Sequence, residues 1–177
     1  NGYLEGDDGK PRLVVHDHLN LALAVDVEKA DGNRTLLTPI IRDADTLDFA
    51  DFLAAYEEII RKVKSNKLVV DDFVGANVTL TNPGTIGTVQ SVPRLMPGQG
   101  VIVGVGSIDF PAEYEGADPA SLADLGLSKV VTVTSTYDHR IIQGAESGLF
   151  LKRVKELLLG QHEFYDQIFH SLDLPYE

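Results

Sequence analysis

Between Val130 and Gly144 the chain constrains its own fold most tightly. The run Val130-Val131-Thr132-Val133-Thr134 alternates and is β-branched, which predicts a buried strand. The segment Ser135-Thr136-Tyr137-Asp138-His139-Arg140-Ile141-Ile142-Gln143-Gly144 follows, and a helical pattern opens after the glycine. This is the mouth of a strand, framed by Asp138, Arg140 and Gly144. His139 stands there. A strand fixes its backbone, Asp138 or Arg140 is placed to orient the ring, and Gly144 lets the next element turn away closely. These residues therefore fit a general base. They fit equally a histidine that only satisfies a local hydrogen bond at a strand end.

The rest of the chain reads as alternating strands and helices. Residues 12–27 form a strand pattern with Leu19, Leu21, Leu23 and Val25 on one face and the small Asn20, Ala22 and Ala24 on the other. His16 and His18 share a face at period two. With no third ligand nearby, they read as edge-strand histidines rather than a metal site. Ala30-Asp31-Gly32-Asn33 is a hairpin turn signal. In the return strand, residues 35–41, Pro39 removes a ladder donor and should interrupt the pairing.

Asp45 or Thr46 is placed to cap the next element. Apolar positions 49, 52, 53, 56, 59, 60 and 63 follow helical spacing, with acids early and Arg61, Lys62 and Lys64 late. Residues 68–73 read as a linker ending in a helical turn, stopped by Gly75. Residues 77–81 form a strand that runs into Asn82-Pro83-Gly84-Thr85-Ile86-Gly87, which is either a ligand loop or an ordinary tight turn. An irregular connection over 91–100 leads to a strongly buried strand at 101–108. Its Gly104-x-Gly106 lacks the third glycine and following helix of a dinucleotide fingerprint. Residues 109–126 form an acidic surface excursion. Phe150, Leu151, Val154, Leu157 and Leu158 mark a second amphipathic helix, stopped by Gly160. Residues 164–169 are aromatic and amphipathic and should dock on this domain or on whatever follows. Residues 172–177 read as a departing linker. Together these elements predict an α/β (α+β) two-layer sandwich with a largely antiparallel or mixed sheet.

Composition narrows the function. The 177 residues suffice for one domain with a real core. A net charge of -12 argues against nucleic acid and anionic membranes as partners. No run is long and apolar enough to span a bilayer, and the polar N-terminus is not a signal peptide. The absence of cysteine removes thiolate metal sites and a cysteine nucleophile, and it fits a reducing, cytoplasmic setting. The chain opens on Asn1 rather than Met, which suggests a fragment, a processed chain or a piece of a longer polypeptide.

Three separated stretches together resemble one family, the catalytic domain of dihydrolipoamide acyltransferases, related in fold to chloramphenicol acetyltransferase. They are Asn20 to Val25 followed by Pro39-Ile40-Ile41-Arg42-Asp43-Ala44; Gly75 to Gly87, with Thr79-Leu80-Thr81-Asn82; and Asp138-His139-Arg140 with Gly144. The stretches Ser91 to Leu95, Gly98 to Gly100, Pro111 to Tyr114 and Thr134 to Gly148 look most like an actinobacterial fused branch. There a succinyltransferase-like domain precedes a 2-oxoglutarate dehydrogenase (decarboxylase) domain that depends on thiamine diphosphate and Mg.

The resemblance implies succinyl transfer between dihydrolipoamide and coenzyme A, within 2-oxoglutarate dehydrogenase activity of the tricarboxylic acid cycle. His139 matches the family's base and Thr81 its hydroxyl, brought together across a subunit boundary in a homotrimer. Gln143 is the third expected catalytic residue, Asn82 and Arg140 are expected to bind substrate, and no metal is implied. The expected partners are the fused dehydrogenase domain and a lipoyl-bearing domain. The whole of 1–177 would be one catalytic domain lacking its N-terminal part, with 161–177 as a tail leading to the dehydrogenase domain. One departure stands out: the family pattern is His-x-x-x-Asp-Gly, and here the acid is Gln143. Gln offers only neutral hydrogen bonds. The departure, with the missing N-terminal part, motivates a competing expectation, a catalytically silent trimer scaffold. A free-standing acetyltransferase of the chloramphenicol type is a third.

Overall fold

The computed structural model describes residues 2–29 and 31–175. The chain opens with a two-stranded antiparallel hairpin, β1 (Gly2–Glu5) and β2 (Pro11–Val14). A mixed sheet follows, built from β3 (Leu21–Glu28), β4 (Arg34–Leu37), β5 (Ile40–Ile41), β6 (Val78–Thr81), β7 (Val101–Val105) and β8 (Val133–Tyr137). Its order is β4-β3-β6-β7-β8, with β5 also paired to β3. The three central strands β3, β6 and β7 are parallel, and β8 runs antiparallel on β7. The expected mixed-sheet sandwich is what forms.

The predicted strand over 12–27 is in fact two strands with a break at 15–20. The break has a long-range cause. The Leu19 N–H donates to Asp45 (2.7 Å) and the Asn20 N–H donates to the side chain of Asn77 (2.9 Å), so these amides leave the ladder. His16 and His18 consequently lie in the connection and not on an edge strand. His18 sits 3.3 Å from the Asp45 carboxylate. Among the described residues no group of three or more His, Asp or Glu gathers as a metal site. Pro39 interrupts the return strand as expected, splitting it into β4 and β5, while its carbonyl still accepts from Leu23 (2.9 Å). In the hairpin turn, Ala30 lies outside the described residues.

Helix α1 (Phe49–Lys64) matches the predicted helix, but its cap does not. Asp48 accepts from the Asp51 N–H (2.9 Å). Asp45 is engaged by Leu19, and the Thr46 hydroxyl donates to the Asp43 carbonyl (2.7 Å). Ile59 seals the core against Leu23 and Ile41, with Phe52, Ala55 and Val63 beside it and Leu21, Val25 and Leu80 below. Phe49 and Tyr56, read as part of the stripe, lie outside this cluster and remain 38% and 42% exposed.

Helix α2 (Pro119–Asp124) lies inside the acidic excursion and anchors it through the buried Leu122. The predicted buried strand at 130–134 starts late. Val130 and Val131 are 52% and 37% exposed, and Val130 bridges to Asp109 at the foot of the excursion. Helix α3 (Gly144–Leu158) ends before Gly160, as read. Helix α4 (Phe164–Ser171) docks on this domain: Phe164 and Ile168 face Phe49 and Phe52 across a groove on α1. Of the tail, Tyr176 and Glu177 lie outside the described residues. No described helix is long and apolar enough to cross a membrane.

Candidate active site

The sheet register sets where each expected residue stands. Side chains alternate faces along a strand. Leu21, Leu23 and Leu80 point to α1, and Ser135 points to α3, where its hydroxyl meets that of Ser147 at 2.5 Å. The rows Ala22–Thr79–Ile102–Thr136 and Ala24–Thr81–Gly104–Thr134 therefore occupy the opposite face. The irregular 91–100 segment covers part of that face. The Thr79 hydroxyl, 1% exposed with its residue, donates to Gln99 (2.5 Å), and the Thr134 hydroxyl donates to the Ser91 carbonyl (2.7 Å).

Thr81 is the last residue of β6, half-buried, at the carboxyl end of the parallel trio. Asn82 follows, exposed, and a 3-10 turn over 83–86 carries the chain away. That turn is pressed onto the neighbouring strand: a Cβ on Gly84 would lie 2.2 Å from the Gly106 backbone. Only glycine permits this approach, which is why a glycine follows the threonine so closely. Beyond the turn, the acidic excursion roofs a cavity of about 570 Å³ lined by Gly87, Val89, Phe110, Tyr114, Lys129 and Val130. Sequence patterning did not reveal this cavity.

His139 stands at the other end of the sheet. Tyr137 closes β8 in register with Val101, the first residue of β7. The Asp138 N–H then donates to the Gly100 carbonyl (2.9 Å), and the Asp138 carbonyl accepts from both Ile141 and Ile142 (3.0 Å each), which curls the loop. Either Asp138 or Arg140 is expected from the sequence to orient the imidazole. They bind each other instead: Arg140 Nε and Nη2 donate to the two Asp138 oxygens at 2.8 and 2.6 Å. Among the described residues neither bonds to His139, whose ring packs 5.5 Å from that of Tyr137 and is open to solvent.

Gln143 is exposed and forms the N-cap of α3. Its N–H donates to the Glu146 carboxylate (2.6 Å). The sequence also missed the β1–β2 hairpin, whose Tyr3 ring lies 3.6 Å from the Arg140 guanidinium carbon. The pair Asp8-Gly9 was the available signal, since Asp-Gly between short apolar runs is a hairpin turn.

The site's carboxylate carries a pH signature. The Arg140 guanidinium holds the Asp138 carboxyl below its ordinary value, by hydrogen bonding first of all. A depressed folded-state pKa adds stability above the unfolded value of about 3.9, and that stability is lost as pH falls through the lower folded value. Acid unfolding should therefore steepen below about pH 4. In an Asp138→Asn variant this part of the pH dependence should vanish, as read by thermal melts at pH 3 to 6.

Thr81 and His139 do not meet within one chain. Thr81 lies level with Gly104 and Thr134, three residues and two strand spacings from Tyr137. At about 3.3 Å per residue and about 4.8 Å per strand, this puts Thr81 and the end of β8 about 14 Å apart before the His139 loop begins.

Residues 1–164 match the model of the 2-oxoacid dehydrogenases acyltransferase (catalytic domain) family. The multifunctional 2-oxoglutarate metabolism enzyme of Mycobacterium sp. (strain JLS) is 56% identical over 96% of this chain, which spans 13% of that protein. Among solved structures, a probable dihydrolipoamide acetyltransferase from Listeria monocytogenes 4b F2365 superposes with a TM-score of 0.67 at 25% identity, covering 86% of this chain and 59% of that one. The dihydrolipoamide acetyltransferase of Azotobacter vinelandii gives a TM-score of 0.65 at 25% identity, covering 89% and 60%. That structure was solved to probe a serine, a histidine and an asparagine four positions after the histidine in its catalytic mechanism.

Proposed function

Because this chain belongs to the 2-oxoacid dehydrogenase acyltransferases, catalytic domain, we propose that it transfers a succinyl group between dihydrolipoamide and coenzyme A, with each site assembled from two copies. The observation that carries the reading is the placement of Thr81 and His139 at opposite ends of one sheet. A hydroxyl and an imidazole serving one thioester must then come from different chains, which the family's homotrimer supplies.

The chemistry asks little more of the protein. A thiol with pKa near 8.5 is mostly protonated at neutral pH, and the thiolate is the attacking species. The imidazole of His139 takes the proton from the incoming thiol. The thiolate attacks the thioester carbonyl, and the oxyanion that forms accepts a hydrogen bond from the neighbouring copy's Thr81 hydroxyl. Collapse of this intermediate breaks the carbon–sulfur bond to the leaving thiolate, which recovers the proton from the imidazolium. Asn82, exposed beside Thr81, and Arg140, whose side chain is 59% exposed beside His139, flank the two halves and are assigned to substrate binding. Gln143, at the N-cap of α3, joins His139 and Thr81 in the proposed catalytic set, where its amide offers neutral hydrogen bonds.

The succinyl assignment rests on the likeness to enzymes named for 2-oxoglutarate metabolism. The same likeness supports a cytoplasmic role in the tricarboxylic acid cycle. It also supports partnership with a lipoyl-bearing domain and with a dehydrogenase domain that would bring thiamine diphosphate and Mg. On this reading 1–177 is one catalytic domain, and the chain from 161 leads toward the dehydrogenase.

A silent trimer scaffold is the competing reading, motivated by Gln143. A neutral amide is not in itself a loss, since the Azotobacter vinelandii enzyme carries an asparagine at the same spacing from its histidine. The test is an acyl-transfer assay on the full natural polypeptide with a dihydrolipoamide analogue. Succinyl-CoA should serve at least tenfold better than acetyl-CoA in kcat/KM, a difference of about 1.4 kcal/mol in transition-state binding. Equal rates would remove the succinyl assignment, and no transfer from either donor would favour the scaffold.

A further inference from the structure

The β1–β2 hairpin has no part in the chemistry above, yet it touches the loop that carries the base. We propose that Tyr3 is a positioning residue for His139, acting through the Arg140 guanidinium stacked on its ring. The inference rests on the acyl-transfer reading.

Asp138 and Arg140 flank His139, and their side chains are locked together by three hydrogen bonds from guanidinium to carboxylate. The Arg140 N–H adds a fourth bond to the same carboxylate (3.0 Å). Two residues tied on one side of a short loop force the residue between them to the other side. There the His139 ring finds Tyr137. The direction of the imidazole therefore depends on how firmly the Asp138–Arg140 pair is held.

The Asp138 end is fixed. Its side chain is 10% exposed, and its N–H is bonded to Gly100 at the start of β7. The Arg140 end is not fixed by the sheet: its side chain is 59% exposed. What holds it is the face of Tyr3 at 3.6 Å, a guanidinium-on-aromatic stack. Tyr3 is itself on a firm base. It pairs with Leu13 across the hairpin, and the adjacent Gly2 is buried with the Gly98 carbonyl 3.3 Å from where a Cβ would stand. The segment 98–100 thus touches both the hairpin and the base loop. An arginine gripped at both ends leaves the loop one conformation; one gripped only by Asp138 leaves the loop free to swing as a unit.

The ring, and not merely apolar bulk, is what the stack requires, so Tyr3→Phe and Tyr3→Leu separate the roles. In the full natural chain, Tyr3→Leu should lower kcat by roughly tenfold, as expected when a base is misdirected, and should raise KM as well because it frees the substrate-binding Arg140. Tyr3→Phe should restore the parent kcat, and the melting temperatures of the two variants should agree. In an Arg140→Gln background the Tyr3→Leu effect should disappear, since the two act through one contact.

Hydrogen exchange at the amides of 138–142 supplies a readout that needs no turnover. Tyr3→Leu should speed it and Tyr3→Phe should not. If the parent chain transfers no acyl group, the function reading fails and exchange alone decides the positioning. Exchange that is the same in Tyr3→Leu and the parent overturns the proposal whatever the activity.

Discussion

Replacing His139 with alanine should lower the rate of acyl transfer by about 10²- to 10⁴-fold, the usual worth of a positioned general base. The loss should fall on kcat, because the imidazole acts on a proton that moves only as the thiolate forms. The fold should be indifferent to the change. His139 is exposed, and the loop around it is held by Asp138, Arg140 and Gly100 rather than by the imidazole. Circular dichroism and the assembly state should match the parent. A thiol of lower pKa offers a second check, since more of it is thiolate at neutral pH and it needs the base less. Such a thiol should narrow the gap between His139→Ala and the parent. A variant that transfers succinyl groups at the parent rate removes His139 from the chemistry, and one that falls apart reassigns it to structure.

The parts of this molecule that are local in sequence were legible, and the parts that depend on distant partners were not. Helix α1 was read within a residue of its observed ends because its apolar spacing and charge order are properties of one segment. Its cap was misread. Asp45 has the right chemistry, but the Leu19 N–H, 26 positions upstream, takes it, and Asp48 caps the helix. Val130 and Val131 have strand composition, yet Val130 bridges Asp109 and the paired strand begins only at Val133. The same division runs through the site. A histidine at a strand end before a helix can be recognised in one window. That Thr81 lies at the far end of the sheet follows only from the pairings of β6 with β7 and of β7 with β8. Tyr3 was missed for a similar reason. Nothing near it in sequence announces an arginine 137 positions away.

That separation leads to the sharpest expectation. Thr81→Ala and His139→Ala should each be nearly inactive alone, and mixing the two after reversible dissociation should restore activity. The reason is geometric. In the Thr81→Ala chain the base end of the sheet is intact, and in the His139→Ala chain the hydroxyl end is intact. About 14 Å of sheet separates the two ends in either one, so on this reading neither chain repairs itself. If every site takes its base from one copy and its hydroxyl from the next, random assembly of equal amounts leaves about one site in four with both groups native, in any closed ring of head-to-tail contacts. Activity should therefore recover to about a quarter of the parent, a rise of an order of magnitude or more over either variant. A double variant carrying both changes on one chain supplies the control: mixed with the parent, it too leaves about one site in four native, and mixed with either single variant it restores nothing. If the single variants mix without recovery while exchanging subunits freely, as followed by mass spectrometry of differently labelled chains, the shared site is excluded. The hydroxyl must then come from a residue on the His139 side of the same sheet.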